Sequence, residues 1–149
     1  MNLNDEVRIA APRDVVRTML LDPDVLARCI PGCEEMHKLS DEDYQAVVVL
    51  KVGPVKAHFT GEVHVAVGND PYEIILNGKG AGGVAGFAKA EATANLISEG
   101  KDTLLSYAVT ADVGGRLAQL GSRLIVSTAK KLAEIFFRNF SNEVSQQVK

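Results

Sequence analysis

Apolar and polar residues alternate with a period of two over most of this chain, and with a period near 3.6 in three places. At the start, Leu3, Asp5, Val7 and Ile9 alternate with Asn2, Asn4, Glu6 and Arg8, which predicts a strand with one largely apolar face. Ala10-Ala11-Pro12 then opens a helix, since Pro near the first helical position loses no hydrogen bond. Val15, Val16, Met19 and Leu20 give that helix its stripe, and Asp22-Pro23 ends it because the residue before a proline avoids the helical region. A second short helix is expected from Asp24 to about Cys29, stopped by Ile30-Pro31-Gly32.

From Glu34 the period returns to two. Strands are predicted near 34–40, 43–52, 55–67, 72–80, 84–97 and 102–112. The breaks between them carry turn chemistry: Asp41-Glu42-Asp43, Gly53-Pro54, Gly68-Asn69-Asp70-Pro71, Gly80 to Gly83, and Glu99-Gly100-Lys101-Asp102. Such short connections imply hairpins and an antiparallel meander. In the run GPVKAHFTGEVHVAV, Val55, Ala57, Phe59, Gly61, Val63 and Val65 share one face, while Lys56, His58, Thr60, Glu62 and His64 share the other. One face therefore packs on a core and the other meets water.

After Gly114-Gly115 the helical period resumes. Leu117, Gly121, Leu124, Thr128, Leu132, Ile135 and Asn139 form a band, widened by Leu120, Ile125, Phe136 and Phe140. A helix from about Gly115 to Val144 would be about 40 Å long. Strand, two short helices, six strands and a long helix make an α+β, helix-grip architecture: a curved seven-stranded antiparallel sheet around a C-terminal helix, one domain spanning 1–149.

The small residues change this picture most. In VAGFAKAEATANL, Gly86, Ala88, Ala90, Ala92 and Ala94 share the face that should meet the helix, and Lys89, Glu91, Thr93 and Asn95 share the other. The helix also offers small groups, at Gly121, Ser122 and Ala129. Opposed small surfaces either approach closely or leave a void. The void is expected opposite Leu117 to Leu124, with Gly78 to Gly86 as its bending edge. Its candidate ligand-binding walls are Phe59, Ile74, Leu76, Phe87, Tyr107, Leu117, Leu120 and Leu124. Phe87 breaks the alternation, so it belongs either at a bulge or at the opening of the slot.

Composition narrows the function classes. The 149 residues are 46% apolar and 23% charged, aromatics are 5%, and there is no Trp. A core with few large rings is consistent with space inside. The net charge of −3, without a basic block, argues against nucleic acid as a partner. No segment approaches the roughly 18 apolar residues of a membrane-spanning helix. The opening run MNLNDEVRIAAP predicts a strand rather than an export signal, which makes the cytoplasm the default compartment.

Few residues offer catalytic or metal chemistry. Cys29 and Cys33, in CIPGC, lack the spacing of redox or zinc pairs and read as two thiols beside a turn. His58 and His64 stand six residues apart on one strand, roughly 20 Å, too far to share a metal. Glu62 and His64 lie on the wet face and read as a solvated pair. Tyr107 is the one polar side chain with chemical potential on an inner face, and reads as a hydrogen-bonding anchor. The glycine run 80–86 lacks the G-K-[ST] ending of a phosphate loop. No catalytic residue and no metal ligand is predicted.

Four stretches resemble one family: PGCE at 31–34, VGPVKAHFTGEV at 52–63, GGVAGFAKAEA at 82–92 and VGGRLAQLGSRLIVSTAKKLAEIFF at 113–137. They are similar to the carbon monoxide dehydrogenase G-subunit family, within the START and Bet v 1-like superfamily. The resemblance covers nearly the whole chain. It implies a non-catalytic accessory protein of a molybdenum hydroxylase, with no cofactor of its own beyond a bound quinone or lipid. Such a protein would link the enzyme to the inner face of the membrane. The chain ends SNEVSQQVK, without the apolar tail that some members carry, so transient rather than anchored membrane contact is expected. Two other readings stay open: a ligand-free assembly or recruitment factor, and a small enzyme of the same superfamily.

Overall fold

The computed structural model describes residues 1–147. Its strands are β1 (Asn2–Ile9), β2 (Cys33–Lys38), β3 (Asp43–Val52), β4 (Val55–Val67), β5 (Glu73–Ala81), β6 (Phe87–Glu99) and β7 (Asp102–Gly114). They form one antiparallel sheet in the order β1-β7-β6-β5-β4-β3-β2. Two short helices, α1 (Arg13–Leu20) and α2 (Pro23–Cys29), carry the chain from one edge of the sheet to the other, and α3 (Ser122–Gln147) returns across its inner face. This is the helix-grip arrangement.

Local chemistry explains the boundaries. Pro12 precedes α1 in an extended conformation, while the Asp22 side chain accepts from the Asp24 N–H at 2.9 Å and caps α2, with Pro23 at its first position. The β4 alternation sets the inner face as predicted: Ala57 and Phe59 are buried while Lys56 and His58 are exposed. Gly61 and Gly80 stand opposite each other, and a side chain at Gly61 would collide with the backbone at Lys79 and Gly80.

Two elements depart from expectation. The expected strand 84–97 begins at Phe87, because Gly83–Ala85 form a single 3-10 turn. Gly86, with φ of 111°, sets the chain back into the sheet. The predicted helix start at Gly115 is also wrong. Gly115 (φ 70°) and Gly121 (φ 93°) adopt conformations no helix contains, and the segment between them holds only a 3-10 turn at Ala118–Leu120. The Leu117 N–H bonds the Ala85 carbonyl at 3.1 Å, so this segment is tied to the β5–β6 loop. The helix therefore begins seven residues later and extends past Val144.

The core is divided. The larger part lies where α1, α2 and the second half of α3 meet the sheet, around Ile9, Val16, Leu26, Leu105, Phe140 and Val144. The Thr103 hydroxyl, wholly buried there, donates to the Ala11 carbonyl at 2.8 Å. Arg28 grips Glu143 through two N–H···O contacts of 3.0 and 3.1 Å, and the Asn139 amide donates to the Cys29 carbonyl at 3.1 Å. The smaller part, at the other end of the sheet, is Val52, Val55, Ala57, Phe59, Ala85 and Leu117. Between the two cores runs the first half of α3, in which no residue is fully buried.

Candidate ligand-binding site

The space between the cores follows from side-chain size. The β5–β6–β7 register puts Ile74, Ala94 and Tyr107 in one row across the inner face, and Leu76, Ala92 and Val109 in the next. The alanine methyls cannot reach the helix above them. A hollow of about 310 Å³ results. Its floor is those two rows and its roof is Ala133, Phe136 and Phe137 of α3. Leu20, Leu26 and Ile30 close one end. A second hollow of about 210 Å³ adjoins along β6, where Ala88 and Ala90 face Phe59, Val63, Gly78 and Gly80. The larger one is at the lower end of the size range of small-molecule pockets.

The lining is almost wholly carbon. Its side chains include neither a carboxylate nor an imidazole, thiol or amine, and the hydroxyls are those of Thr93 and Tyr107. The Tyr107 ring packs on Phe137 with centroids 4.8 Å apart, and Phe137 meets Phe136 edge-on at 5.1 Å. Among the described residues the Tyr107 hydroxyl has no hydrogen-bond partner. Burial raises its pKa above the ordinary tyrosine value, and the negative charges of Asp5 and Glu134 raise it further.

Of the eight wall residues named from sequence, Ile74, Leu76 and Tyr107 line the larger hollow. Phe59 lines the smaller one and belongs to the minor core. Leu117 and Leu120 lie before α3 and also pack in the minor core. Leu124, in the first turns of α3, sits over Gly53 in the β3–β4 turn. Phe87 points the other way: it is 51% exposed on the outer face, and its ring occupies the space that a side chain at its partner Gly114 would need. The expected position opposite Leu117 to Leu124 is therefore displaced to Ala133 through Phe137. The roof residues Phe136 and Phe137 were missed as walls, although three phenylalanines within five residues, at 136, 137 and 140, were the available signal.

The outer face carries a broader polar groove of about 550 Å³, bordered by Asp43, Glu62, His64, Lys79, Lys89 and Glu91. Its charges are solvated and largely engaged with each other. His64 contacts Asp43 at 2.7 Å and Glu42 at 3.6 Å, and not Glu62 as expected; Glu62 faces Lys79 at 3.8 Å. The His64 hydrogen bond holds the Asp43 carboxyl below its usual range. His37 pairs with Glu35 at 3.2 Å. Among the described residues no group of three or more His, Cys, Asp or Glu side chains is placed to hold a metal. Cys29 and Cys33 are free; burial pushes the Cys29 thiol up to about 11. No described helix is long and apolar enough to cross a membrane.

Known structures share this architecture. A conserved protein from Geobacillus kaustophilus superposes with a TM-score of 0.90 at 29% identity, over 98% of this chain and 96% of that one. A START superfamily protein from Mycobacterium smegmatis gives 0.75 at 15% identity over 98% of both chains. The Zhui aromatase/cyclase from Streptomyces sp. R1128 gives 0.69 at 13% identity, over 100% of this chain and 96% of that one. The last two establish a common fold and nothing about chemistry. No curated protein sequence matches significantly. The family model of the carbon monoxide dehydrogenase G-subunit (CoxG) matches residues 6–145, and with the helix-grip fold in place the chain belongs to the CoxG family.

Proposed function

We propose that this protein is a non-catalytic carrier that holds a hydrophobic molecule between α3 and the inner face of the sheet. The observation that carries the reading is the 310 Å³ hollow walled by Ile74, Leu76, Ala92, Ala94, Phe136 and Phe137. A hollow lined by carbon in this way favours an apolar occupant over water. A binding role rather than a catalytic one is supported by the lining, which offers no acid–base pair and no nucleophile beside a base. Membership of the family supports a quinone as the occupant and a molybdenum hydroxylase of the carbon monoxide dehydrogenase type as the partner, with peripheral contact at a membrane.

Extraction of the purified protein with organic solvent, followed by mass spectrometry, tests the ligand. Incubation with a short-chain quinone tests uptake. At a free ligand concentration 100-fold above Kd, binding stabilises the fold by about 2.7 kcal/mol, or roughly 5–10 °C in Tm for a chain of this size. Ala92→Phe fills the floor of the hollow and is expected to abolish that shift. A wild-type protein that neither retains nor takes up a quinone, at saturating concentration, refutes the quinone assignment. Retention of a molybdenum hydroxylase from extract on immobilised protein tests the partner.

A further inference from the structure

We infer that the end of the sheet formed by the β3–β4 turn, the β5–β6 loop and the β7–α3 segment is a docking surface for an anionic lipid bilayer, with Val84 at the point of contact. This rests on the peripheral membrane contact of the reading above, to which it gives a surface and a chemistry, and it holds whatever fills the hollow.

The meander puts its connections at two ends. The β2–β3, β4–β5 and β6–β7 turns lie at one end, and the β3–β4 turn, the β5–β6 loop and the β7–α3 segment at the other. The latter three form one surface: the Leu117 N–H bonds the Ala85 carbonyl at 3.1 Å, and Leu124 sits over Gly53. The two ends differ in charge. All 19 acidic residues of the chain lie outside 44–61, 80–88 and 113–130, although its net charge is −3. Those three stretches carry Lys51, Lys56, Arg116, Arg123 and Lys130, all exposed. Among the described residues none of them forms an ion pair. Lys51 and Lys56 are direct partners across the β3–β4 ladder, a like-charge pairing that costs stability unless an anion lies over it. The other segments on this side add no acid: Ile30 to Gly32 before β2 and Asn2 to Asn4 of β1 are uncharged. The first acids inward, Glu34 and Asp112, stand within strands, Asp112 opposite Lys89.

Val84, in the 3-10 turn of the β5–β6 loop, is 83% exposed, more than any other large apolar side chain described. Charge alone would also suit an acidic protein, but Val84 favours a bilayer. An apolar tip framed by cations can enter below the headgroups while the ammonium and guanidinium groups stay at the level of the phosphates. The opposite end also exposes apolar side chains, at Leu39, Val67 and Ile97, but beside Asp41, Glu42, Asp70 and Glu99, which an anionic surface repels. Docking by the basic end also suits a carrier. Along β6 from this end, Ala88 and Ala90 border the smaller hollow and Ala92 and Ala94 the larger one.

The test is co-sedimentation of the full chain with phosphatidylcholine vesicles containing about 30% phosphatidylserine, at about 0.1 M salt. Binding should be at least about tenfold weaker on pure phosphatidylcholine and should fall at roughly 1 M salt. Each cation near such a surface is worth about fivefold, so Lys51→Gln/Arg116→Gln should lose about twenty- to thirtyfold. Both positions are exposed, so the variant should melt like the wild type. The chain has no Trp, so Val84→Trp supplies a single fluorophore, whose emission should move to the blue on the anionic vesicles. Leu39→Trp at the opposite end should not respond. Absent binding to the anionic vesicles, unchanged binding in the double variant, or an unshifted Val84→Trp spectrum overturns the inference. So does a chain that ignores vesicles but is retained by immobilised polyglutamate through Lys51 and Arg116, which would assign this end to an acidic protein. Short-chain quinone uptake without vesicles reads the carrier function separately and should be equal in wild type and double variant. Its loss in the wild type overturns the carrier reading alone.

Discussion

Gly86→Ala probes the junction that fixes one end of the site. Gly86 has φ of 111° and ψ of −144°, a region that side chains avoid at a cost of about 1–3 kcal/mol. A methyl group there would also collide with the Gly114 carbonyl oxygen and come within 2.8 Å of the Gly114 carbonyl carbon and 3.0 Å of the Gly115 Cα. These are backbone atoms of the neighbouring strand and cannot rotate away. The two loops would have to part, which strains the Leu117 N–H bond to Ala85 and the burial of Leu117 in the minor core. Together these effects predict a loss of about 3–4 kcal/mol. Gly100 is the internal control: its φ is 65°, but nothing lies within 4 Å of the added methyl, so only about 1 kcal/mol should be lost. At about 3 °C per kcal/mol for a chain of this length, thermal denaturation followed by circular dichroism should show Tm falling by about 10 °C for Gly86→Ala and about 3 °C for Gly100→Ala. A Gly86→Ala variant as stable as Gly100→Ala would refute the close approach of the two loops.

Two further predictions concern the larger core. Thr103→Val keeps the volume of a fully buried side chain but leaves the Ala11 carbonyl without its donor; chemical denaturation should report a loss of about 1–3 kcal/mol with an unchanged m-value. Cys29, whose thiol is raised to about 11 chiefly by burial, ionises more easily in the unfolded chain than in the folded one. The fold therefore loses stability as pH rises from about 9 towards 11, by on the order of 2 kcal/mol from this thiol, and Cys29→Ala should make that slope shallower, the raised Cys33, Tyr72 and Tyr107 leaving the remainder. A wild-type stability that stays flat across this window contradicts the burial of the thiol.

Much of the frame was readable because it rests on local signals. The strict alternation from Val55 to Val65 and the turn residues between strands predict the hairpins, and Asp22-Pro23 and Ile30-Pro31-Gly32 bracket α2. The small-residue face of β6 was legible for the same reason, since side-chain size and parity need no knowledge of the rest of the fold. What failed depends on backbone conformation that a 3.6-residue pattern does not carry. Leu117, Leu120 and Leu124 continue the helical spacing of α3, yet positive φ at Gly115 and Gly121 places the first two in a loop tied to the β5–β6 connection. With the helix start misplaced, the roof was assigned to the wrong residues.

The distribution of packing along α3 explains how a hollow persists beside a stable core. Phe140 is wholly buried and Val144 nearly so; a phenylalanine in such a place typically contributes about 3–5 kcal/mol. The Asn139–Cys29 hydrogen bond and the two-point contact of Arg28 with Glu143 fix the same half of the helix against α2. At the far end, Leu117 and the Gly86–Gly115 approach hold the chain just before the helix begins. The span between these two anchorages need not pack to stay in place. That freedom lets Ala92 and Ala94 remain small beneath Ala133, where larger residues would fill the space and add burial. It also confines an occupant's contribution to stability to the middle of α3. Ligand binding should accordingly slow amide exchange in residues 124–137 more than in residues 139–144, which the fixed half of the helix already protects.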